Sequence, residues 1–198
     1  MSASKLRLFV AVDVPGEVRE RISSALEGTR EEVTGARWVK PQNLHLTLKF
    51  IGDYGEEGIA RLSNQIHAAA ARAPAFTAAL GGCGAFPAPR RARVIWIGMA
   101  RGSEEAAEVA RKLDARLEKA GVKREERPFR GHLTLARLRQ PVDCAPYLEV
   151  LGSRLEGLQE MAFAVEEVVL YRSILGPQGP TYVALERMRL EGACGEKG

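Results

Sequence analysis

The chain has 198 residues, of which 45% are hydrophobic and 27% are charged, a composition typical of soluble globular proteins. This length suits one ordinary domain and excludes the small proteins that need disulfides or metals to fold. The formal charge of +4, from 29 basic and 25 acidic side chains, suits an anionic ligand, although a solvated basic surface gives the same balance.

The cysteines and the N-terminus bear on the cellular compartment. Cys83, Cys144 and Cys194 are odd in number and widely spaced, so we expect neither a disulfide framework nor a zinc knuckle. The N-terminal apolar stretch is too short and too charged for a signal peptide. Because no apolar run reaches the roughly 20 residues that span a bilayer, we expect a cytoplasmic protein with no membrane association.

The predicted elements alternate irregularly along the chain. β-rich segments predict strands at residues 6–12, 36–39, 45–51, 76–80, 94–97, 129–138, 165–170 and 182–189. Helical spacing of apolar residues predicts helices at 17–32, 55–73, 103–120 and 143–154. This order predicts an α+β fold with antiparallel sheets. No linker divides the chain, so we predict one domain at residues 1–190 and a flexible tail at 191–198.

A glycine-rich segment and a third histidine are each interpreted as structural. The glycine-rich segment 81–84 lacks the Lys-Ser/Thr pair of a phosphate-binding loop, so we predict a simple turn there. His67 lies in the middle of a predicted helix, and we expect it at the surface.

One four-residue segment occurs twice. His45-Leu46-Thr47-Leu48 recurs 87 positions later as a second His-Leu-Thr-Leu segment that begins at His132. On a strand, successive side chains point to opposite faces, so the histidine and threonine of each copy share one face, about 7 Å apart. The leucines point the other way, into the core.

Two imidazoles and two hydroxyls on one cleft suit the cleavage of a phosphodiester. One imidazole can accept a proton from water while the other gives a proton to the leaving oxygen. The ordinary histidine pKa near 6.5 allows opposite protonation states near neutrality. The hydroxyls of Thr47 and Thr134 can donate to phosphoryl oxygens as charge builds there.

Two other interpretations of the motif compete with catalysis. A single His-x-Thr on a strand is usually structural, but apolar packing alone does not require it twice. A zinc site needs three or four protein ligands, and each motif offers only one histidine. We therefore expect neither a metal nor another cofactor.

With these motifs the chain resembles the 2H phosphoesterase superfamily and, within it, the RNA 2′,3′-cyclic phosphodiesterases, also called 2′-5′ RNA ligases. The likeness runs from about Arg7 to about Leu185. Its further segments, in order, are 7–11, 37–39, 43–52, 84–87, 94–96, 129–137 and 169–173. One departure is Gly131, since family members often have proline before the second motif histidine. Glycine there leaves the entry to the strand looser.

The resemblance implies a fold and an activity. The fold is a bilobal α+β domain, with two pseudo-symmetric lobes of antiparallel sheet that flank a central cleft and helices on the outer faces. The activity is hydrolysis of RNA 2′,3′-cyclic phosphodiester ends to 2′-phosphomonoesters, with His45 as proton donor, His132 as proton acceptor and no metal. Reversible 2′-5′ RNA ligation is an accessory expectation. We expect a monomer.

Two alternatives remain at this stage. One is a 2H enzyme that acts on a small cyclic nucleotide or an ADP-ribose cyclic phosphate; a longer basic groove would favour RNA instead. The other is a non-catalytic RNA-binding module, which leaves the duplicated histidines unexplained.

Further substrate contacts are predicted near the motifs. By strand alternation, Arg130 shares the face of His132, and Lys49 shares the face of His45. We predict both as substrate contacts, although a solvated surface position suits Arg130 equally. Phe86 is predicted to stack on a base, whereas Phe9 is expected in the core.

Overall fold

The structure, a computed structural model, describes residues 4–177 and 179–192, which form nine strands and four α-helices. The strands are β1 (Lys5–Asp13), β2 (Ala36–Trp38), β3 (His45–Gly55), β4 (Phe76–Phe86), β5 (Ala92–Arg101), β6 (His132–Val142), β7 (Phe163–Val165), β8 (Glu167–Gly176) and β9 (Gly179–Arg189). The helices are α1 (Gly16–Leu26), α2 (Ile59–Ala70), α3 (Ser103–Leu117) and α4 (Ala145–Arg154).

The nine strands form one curled sheet in the order β7-β4-β5-β6-β3-β1-β8-β9, and β2 pairs with β6. Every pairing is antiparallel, which confirms the α+β prediction. The order divides into two four-stranded halves, β7-β4-β5-β6 and β3-β1-β8-β9. Each half contributes one His-x-Thr strand at its inner edge, so the two predicted lobes meet where β6 pairs with β3.

The hydrophobic core lies between the sheet and the helices. On β1, the alternate residues Leu6, Leu8, Val10 and Val12 are buried in it. The helices add apolar stripes at helical spacing, as in Leu62, Ile66 and Ala69 of α2 and Val109, Leu113 and Leu117 of α3. The helices therefore cover one face of the sheet and leave the other face to the motif histidines.

Two sequence predictions about local structure are wrong. The glycine-rich segment 81–84 is not a turn but part of β4, where a register shift between Gly81 and Cys83 accommodates Gly82 at φ +65°. The predicted strand at 129–138 begins only at His132, and the residues before it belong to a connecting segment.

The C-terminal end of the described chain bears on the predicted tail at residues 191–198. Glu191 and Gly192 donate backbone hydrogen bonds to Ala70 and Ala73, so the first two residues assigned to the tail are held against the end of α2. The rest of that tail, residues 193–198, lies outside the described residues, as does Cys194.

The described residues include no helix that is both long enough and apolar enough to cross a membrane. Cys83 and Cys144 are free thiols. The cytoplasmic location stays a prediction.

Candidate active site

The two repeated motifs meet at the centre of the sheet. β3 and β6 pair there, antiparallel, through Leu46 and Leu133. Both leucines are buried, at 2% and 0% exposure, as the alternation predicts. This contact joins the two halves of the sheet and brings residues 87 positions apart into one site.

The register of this contact also sets the arrangement of the polar motif residues. One residue to either side of the paired leucines, His45 lies across from Thr134 and His132 lies across from Thr47. All four side chains are half-buried on the face opposite the core. Neither threonine hydroxyl makes a hydrogen bond within the described ranges. Each histidine therefore has the threonine of the other motif as its neighbour.

Each histidine is oriented by the same backbone contact. His45 Nδ1 lies 2.7 Å from the carbonyl oxygen of Asn43, and His132 Nδ1 lies 2.7 Å from the carbonyl oxygen of Arg130. Because a carbonyl oxygen only accepts, Nδ1 is the donor in both bonds. Nε2 is then the nitrogen that can exchange a proton with a ligand.

A β-bulge follows each motif at the same place. The extra residue is Leu48 in β3 and Leu135 in β6. A bulge interrupts the alternation, so the next residue turns to the same side as the bulged leucine. Those next residues, Lys49 and Ala136, are accordingly buried, at 6% and 0% exposure.

The prediction that Lys49 shares the His45 face is therefore wrong. The bulge at Leu48 turns the lysine side chain into the interior. Its Nζ donates to Asp114 Oδ1 at 2.5 Å and to the carbonyl oxygen of Lys123 at 2.8 Å. Lys49 therefore links β3 to α3 and to the segment before β6, and it does not face the paired histidines.

The bulge at Leu135 in β6 places Arg137 on the same face as His132 and Thr134. Its charge acts electrostatically on His45 and on Tyr182. Arg37 of β2 lies across from it in the sheet. Neither arginine was predicted from the sequence as a substrate contact, although two consecutive apolar residues, Leu135 and Ala136, were a signal that alternation breaks there.

The structure places two other predicted contacts beside the second motif. The Phe86 ring meets the His132 ring edge-on, with centroids 5.1 Å apart, and packs at 5.1 Å against Trp96. Arg130 is exposed, and its side chain lines a cavity next to His132. Their contact with substrate stays a prediction.

Aromatic rings surround His45. The Phe9 ring lies 4.9 Å from the imidazole, and the Tyr182 ring meets it edge-on at 5.1 Å. Phe9 is 4% exposed and stacks on Tyr171 at 5.3 Å. It is buried as expected, but it packs on His45 and lies outside the core between the sheet and the helices. His45 is therefore the more enclosed of the two motif histidines.

This enclosure changes the acidity of His45. Burial lowers the pKa of the imidazole below its ordinary value. The hydrogen bond to Asn43 and the negative charge of Asp13 oppose that shift, whereas the positive charge of Arg137 adds to it. The balance favours neutral His45.

The third histidine lies away from the cleft. His67 is in α2, as predicted, and its Nε2 lies 2.6 Å from Glu186 Oε1. Residues 4–177 and 179–192 contain no group of three or more His, Cys, Asp or Glu side chains placed to hold a metal ion.

Gly131, the departure from the family pattern, has a packing reason. A Cβ atom there would lie 2.4 Å from Sδ of Met99 and 3.4 Å from the Phe129 ring. The chain therefore enters β6 in close contact with Met99, and any larger residue requires Met99 to move.

A cavity of about 980 Å³ opens on one side of the cleft. It borders Thr47 of β3 and His132 of β6. Its other walls come from residues 48–50 of β3, from Phe86 of β4, from α3 and from the segment that precedes β6, residues 125–130. The site thus has an open side next to one of its two histidines.

Comparisons with known proteins show what the chain is similar to. The LigT like Phosphoesterase family model matches the chain twice, at residues 12–96 and 97–182, with one motif in each match. The RNA 2′,3′-cyclic phosphodiesterase of Methanothermobacter thermautotrophicus is 35% identical over 186 residues, which cover 94% of this chain and 100% of that protein. The protein of the same name from Archaeoglobus fulgidus is 36% identical, covering 89% and 96%. The crystal structure of a Thermus thermophilus protein, TT0787, superposes with a TM-score of 0.76 at 32% identity, covering 96% and 100%.

Proposed function

This chain belongs to the LigT-like phosphoesterase family, and we propose that it hydrolyses the 2′,3′-cyclic phosphate at an RNA 3′ end to a 2′-phosphomonoester. The relatives at 35% and 36% identity carry the name of that activity. The observation that carries the proposal is the pair of imidazoles on one face of the sheet, each tied through Nδ1 to the backbone at 2.7 Å.

The chemistry follows from the two free Nε2 atoms. His132 Nε2 takes a proton from water, which attacks phosphorus, and the bond from phosphorus to O3′ breaks. His45 Nε2 gives its proton to O3′, and the phosphate stays on O2′. Each proton transfer contributes roughly 10²–10⁴-fold to the rate.

Fixed donors stabilise the charge that develops on the phosphoryl oxygens. Thr134 lies across from His45 and Thr47 lies across from His132, and the charge of Arg137 acts on His45. Donors held in place before the reaction need little rearrangement as the transition state forms. Arg137 therefore joins Arg130 as a candidate phosphate contact.

The low pKa of His45 must be reconciled with its role as proton donor. Burial favours the neutral form of the imidazole. A bound phosphodiester brings a negative charge beside the imidazole, and an adjacent opposite charge favours the protonated form. Asp13 acts in the same direction. Substrate binding thus restores the proton that His45 donates.

RNA is the substrate that the site favours, and we propose that a monomer acts on it. Arg37 and Arg137 extend the basic surface from the motif along the face of the sheet. The alternative substrates are a small cyclic nucleotide or an ADP-ribose cyclic phosphate, which use only the central cleft. A higher kcat/KM for an oligonucleotide than for the mononucleotide would support RNA, and the reverse order would favour the alternative.

The deciding experiment uses an RNA oligonucleotide that ends in a 2′,3′-cyclic phosphate, and its product is analysed for a 2′- or 3′-phosphate. We expect only the 2′-phosphate. The same oligonucleotide with a linear 3′-phosphate serves as control and should stay unchanged. No turnover, or a 3′-phosphate product, would contradict the proposal.

A second substrate, in which sulfur replaces O3′, distinguishes the general acid from the general base. A thiolate leaves without a proton, so this substrate bypasses the general acid. His45→Ala should therefore recover most of its lost rate on the sulfur substrate, whereas His132→Ala should not. The opposite pattern would exchange the two roles.

A further inference from the structure

We propose that Asn43 is a positioning residue, which fixes the imidazole of His45 through its backbone carbonyl and the end of the β8–β9 hairpin through its side chain. This inference rests on the proposed function, in which His45 protonates the leaving oxygen. It adds a residue that acts on the reaction through His45 and has no proton of its own to transfer.

Asn43 makes two hydrogen bonds that join distant parts of the chain. Its carbonyl oxygen accepts from His45 Nδ1 at 2.7 Å, and its side-chain Nδ2 donates to the carbonyl oxygen of Pro180 at 2.8 Å. Pro180 lies near the start of β9, 137 positions further along the chain. Both bonds are partly buried, where water competes less for the donor and the acceptor. One residue therefore connects the imidazole to the hairpin.

The end of this hairpin has little other support. In the described ladder β8 pairs with β1 as far as Ser173, whereas its pairing with β9 continues beyond that point. Residues 174–176 and 179–181, here called the hairpin end, thus form a two-stranded ribbon, which is marginally stable by itself in water. Leu175 is 69% exposed, so apolar packing adds little. The amide of Asn43 supplies a fixed contact instead.

The hairpin places an aromatic ring against His45. Tyr182 directly follows the hairpin end, and its ring lies 5.1 Å from the imidazole and 5.0 Å from the Phe9 ring. Burial is the largest cause of the low pKa of His45, and the Tyr182 ring supplies part of that burial. A general acid must also lie within hydrogen-bond reach of the oxygen that it protonates. The position of the hairpin therefore affects both the acidity and the orientation of His45.

The charged groups around His45 lie outside the hairpin end. Asp13 of β1 raises the pKa of His45, whereas Arg137 and His132 of β6 lower it. Tyr182 is the titratable group that the hairpin itself brings to the imidazole. A displaced hairpin end therefore reduces the burial of His45 and leaves these charges in place, so the pKa of His45 should rise.

The second motif has the same backbone contact without the tie to a strand. The residue two positions before His132 is Arg130, whose carbonyl oxygen accepts from Nδ1 at 2.7 Å. The Arg130 side chain is exposed and lines the cavity beside His132. Among the described residues it makes no hydrogen bond comparable to that of Asn43 with Pro180. The tie therefore belongs to the histidine that acts as the acid.

The kinetic test uses Asn43→Ala, which removes the amide and keeps the carbonyl. With the cyclic-phosphate oligonucleotide, kcat should fall roughly 2–10-fold, the effect of losing one hydrogen bond between neutral groups, while KM stays near wild type. With the substrate in which sulfur replaces O3′, kcat should stay near wild type, because that leaving group needs no general acid. Gln42→Ala removes an exposed amide from the same turn and is the matched control.

A second test reads His45 without any substrate. The ring resonances of His45 are followed by NMR as a function of pH in the wild type and in each variant. Asn43→Ala should raise the pKa of His45 towards its ordinary value, and Gln42→Ala should leave the titration unchanged. Tyr182→Ala should also raise it. The double variant should exceed the larger single effect only slightly, because both changes act through one hairpin.

Three outcomes would overturn the role of Asn43 and leave the hydrolase intact. The first is wild-type kcat for Asn43→Ala on the oxygen substrate. The second is an equal loss of kcat on the oxygen and sulfur substrates, which indicates a structural role. The third is an unchanged His45 titration in both Asn43→Ala and Tyr182→Ala. Failure of the proposed function differs from all three, because the wild-type protein itself would then leave the cyclic phosphate intact.

Discussion

Asp13 lies directly across from His45 in the β1–β3 ladder, and its charge raises the pKa of the imidazole. Its two carboxylate oxygens accept from Tyr171 Oη at 2.5 Å and from Arg187 Nη2 at 2.9 Å. These bonds hold the carboxylate beside the enclosed histidine, where burial works in the opposite direction. Asp13 therefore extends to higher pH the range in which His45 can carry a proton.

The first prediction concerns pH. One histidine must be protonated and the other neutral, so kcat/KM should be bell-shaped, with apparent pKa values that belong to the pair. Because Asp13 raises the pKa of His45, Asp13→Asn should move the limb that reports His45 to lower pH and leave the other limb in place. Rate profiles measured between pH 4 and about 9 test this. Asp53→Asn, at the other end of the ladder, is the control, and an equal shift in both variants would contradict the role of Asp13.

The second prediction concerns the motif residues. His45→Ala and His132→Ala should each lower turnover roughly 10²–10⁴-fold, and the two threonine-to-alanine changes up to about 10²–10³-fold. The double histidine variant should be little worse than the poorer single one, because acid and base act as one unit. Thermal melts should stay near wild type for His132→Ala and fall slightly for His45→Ala, which loses ring contacts. Near-normal turnover in both histidine variants would rule out the mechanism.

The third prediction concerns Arg137. Losing a hydrogen bond between charged groups costs about 1.5–3 kcal/mol, so Arg137→Ala should lower kcat/KM by roughly 10–150-fold. Arg137→Lys should recover part of the loss, since it keeps the charge but not the planar fork. Arg139→Ala, on the same strand, is the control. Steady-state kinetics with the cyclic-phosphate oligonucleotide give kcat/KM for each variant. Equal losses of kcat/KM at both positions would indicate a general effect of positive charge.

The fourth prediction concerns Lys49. Removing one partner of a buried ion pair costs roughly 3–5 kcal/mol, because the other charge stays buried. Lys49→Met should therefore lower the Tm by roughly 8–15 °C. Lys49→Met combined with Asp114→Leu should melt above Lys49→Met alone, and exposed Lys119→Met should melt like wild type. If Lys49→Met leaves the Tm unchanged, the ion pair does not stabilise this part of the fold.

The fifth prediction concerns metals. Both proton-transfer groups are imidazoles, so hydrolysis should persist in excess chelator at the untreated rate. Activity measured before and after dialysis against chelator tests this. Activity that disappears and then returns with zinc or magnesium would require a different mechanism.

The sequence by itself determined how the side chains of the two repeated motifs are arranged on their strands. The repeated His-Leu-Thr-Leu segment predicted which side chains share a face, because alternation on a strand depends only on the local backbone. The burial of Leu46 and Leu133 agrees with that prediction. The α+β class also followed from the order of predicted elements, since each element has its own periodicity.

Only the tertiary structure decided what surrounds the two motifs. Lys49 lies in the interior and Arg137 lies on the face of the motif because of β-bulges, and a bulge depends on the register with a partner strand rather than on the strand itself. Asp13 reaches His45 through the β1–β3 ladder across 32 positions of the chain. The cavity beside His132 needs α3 and the segment before β6 to be held together by Lys49 and Asp114. These relationships join distant parts of the chain, so no local pattern of residues could reveal them.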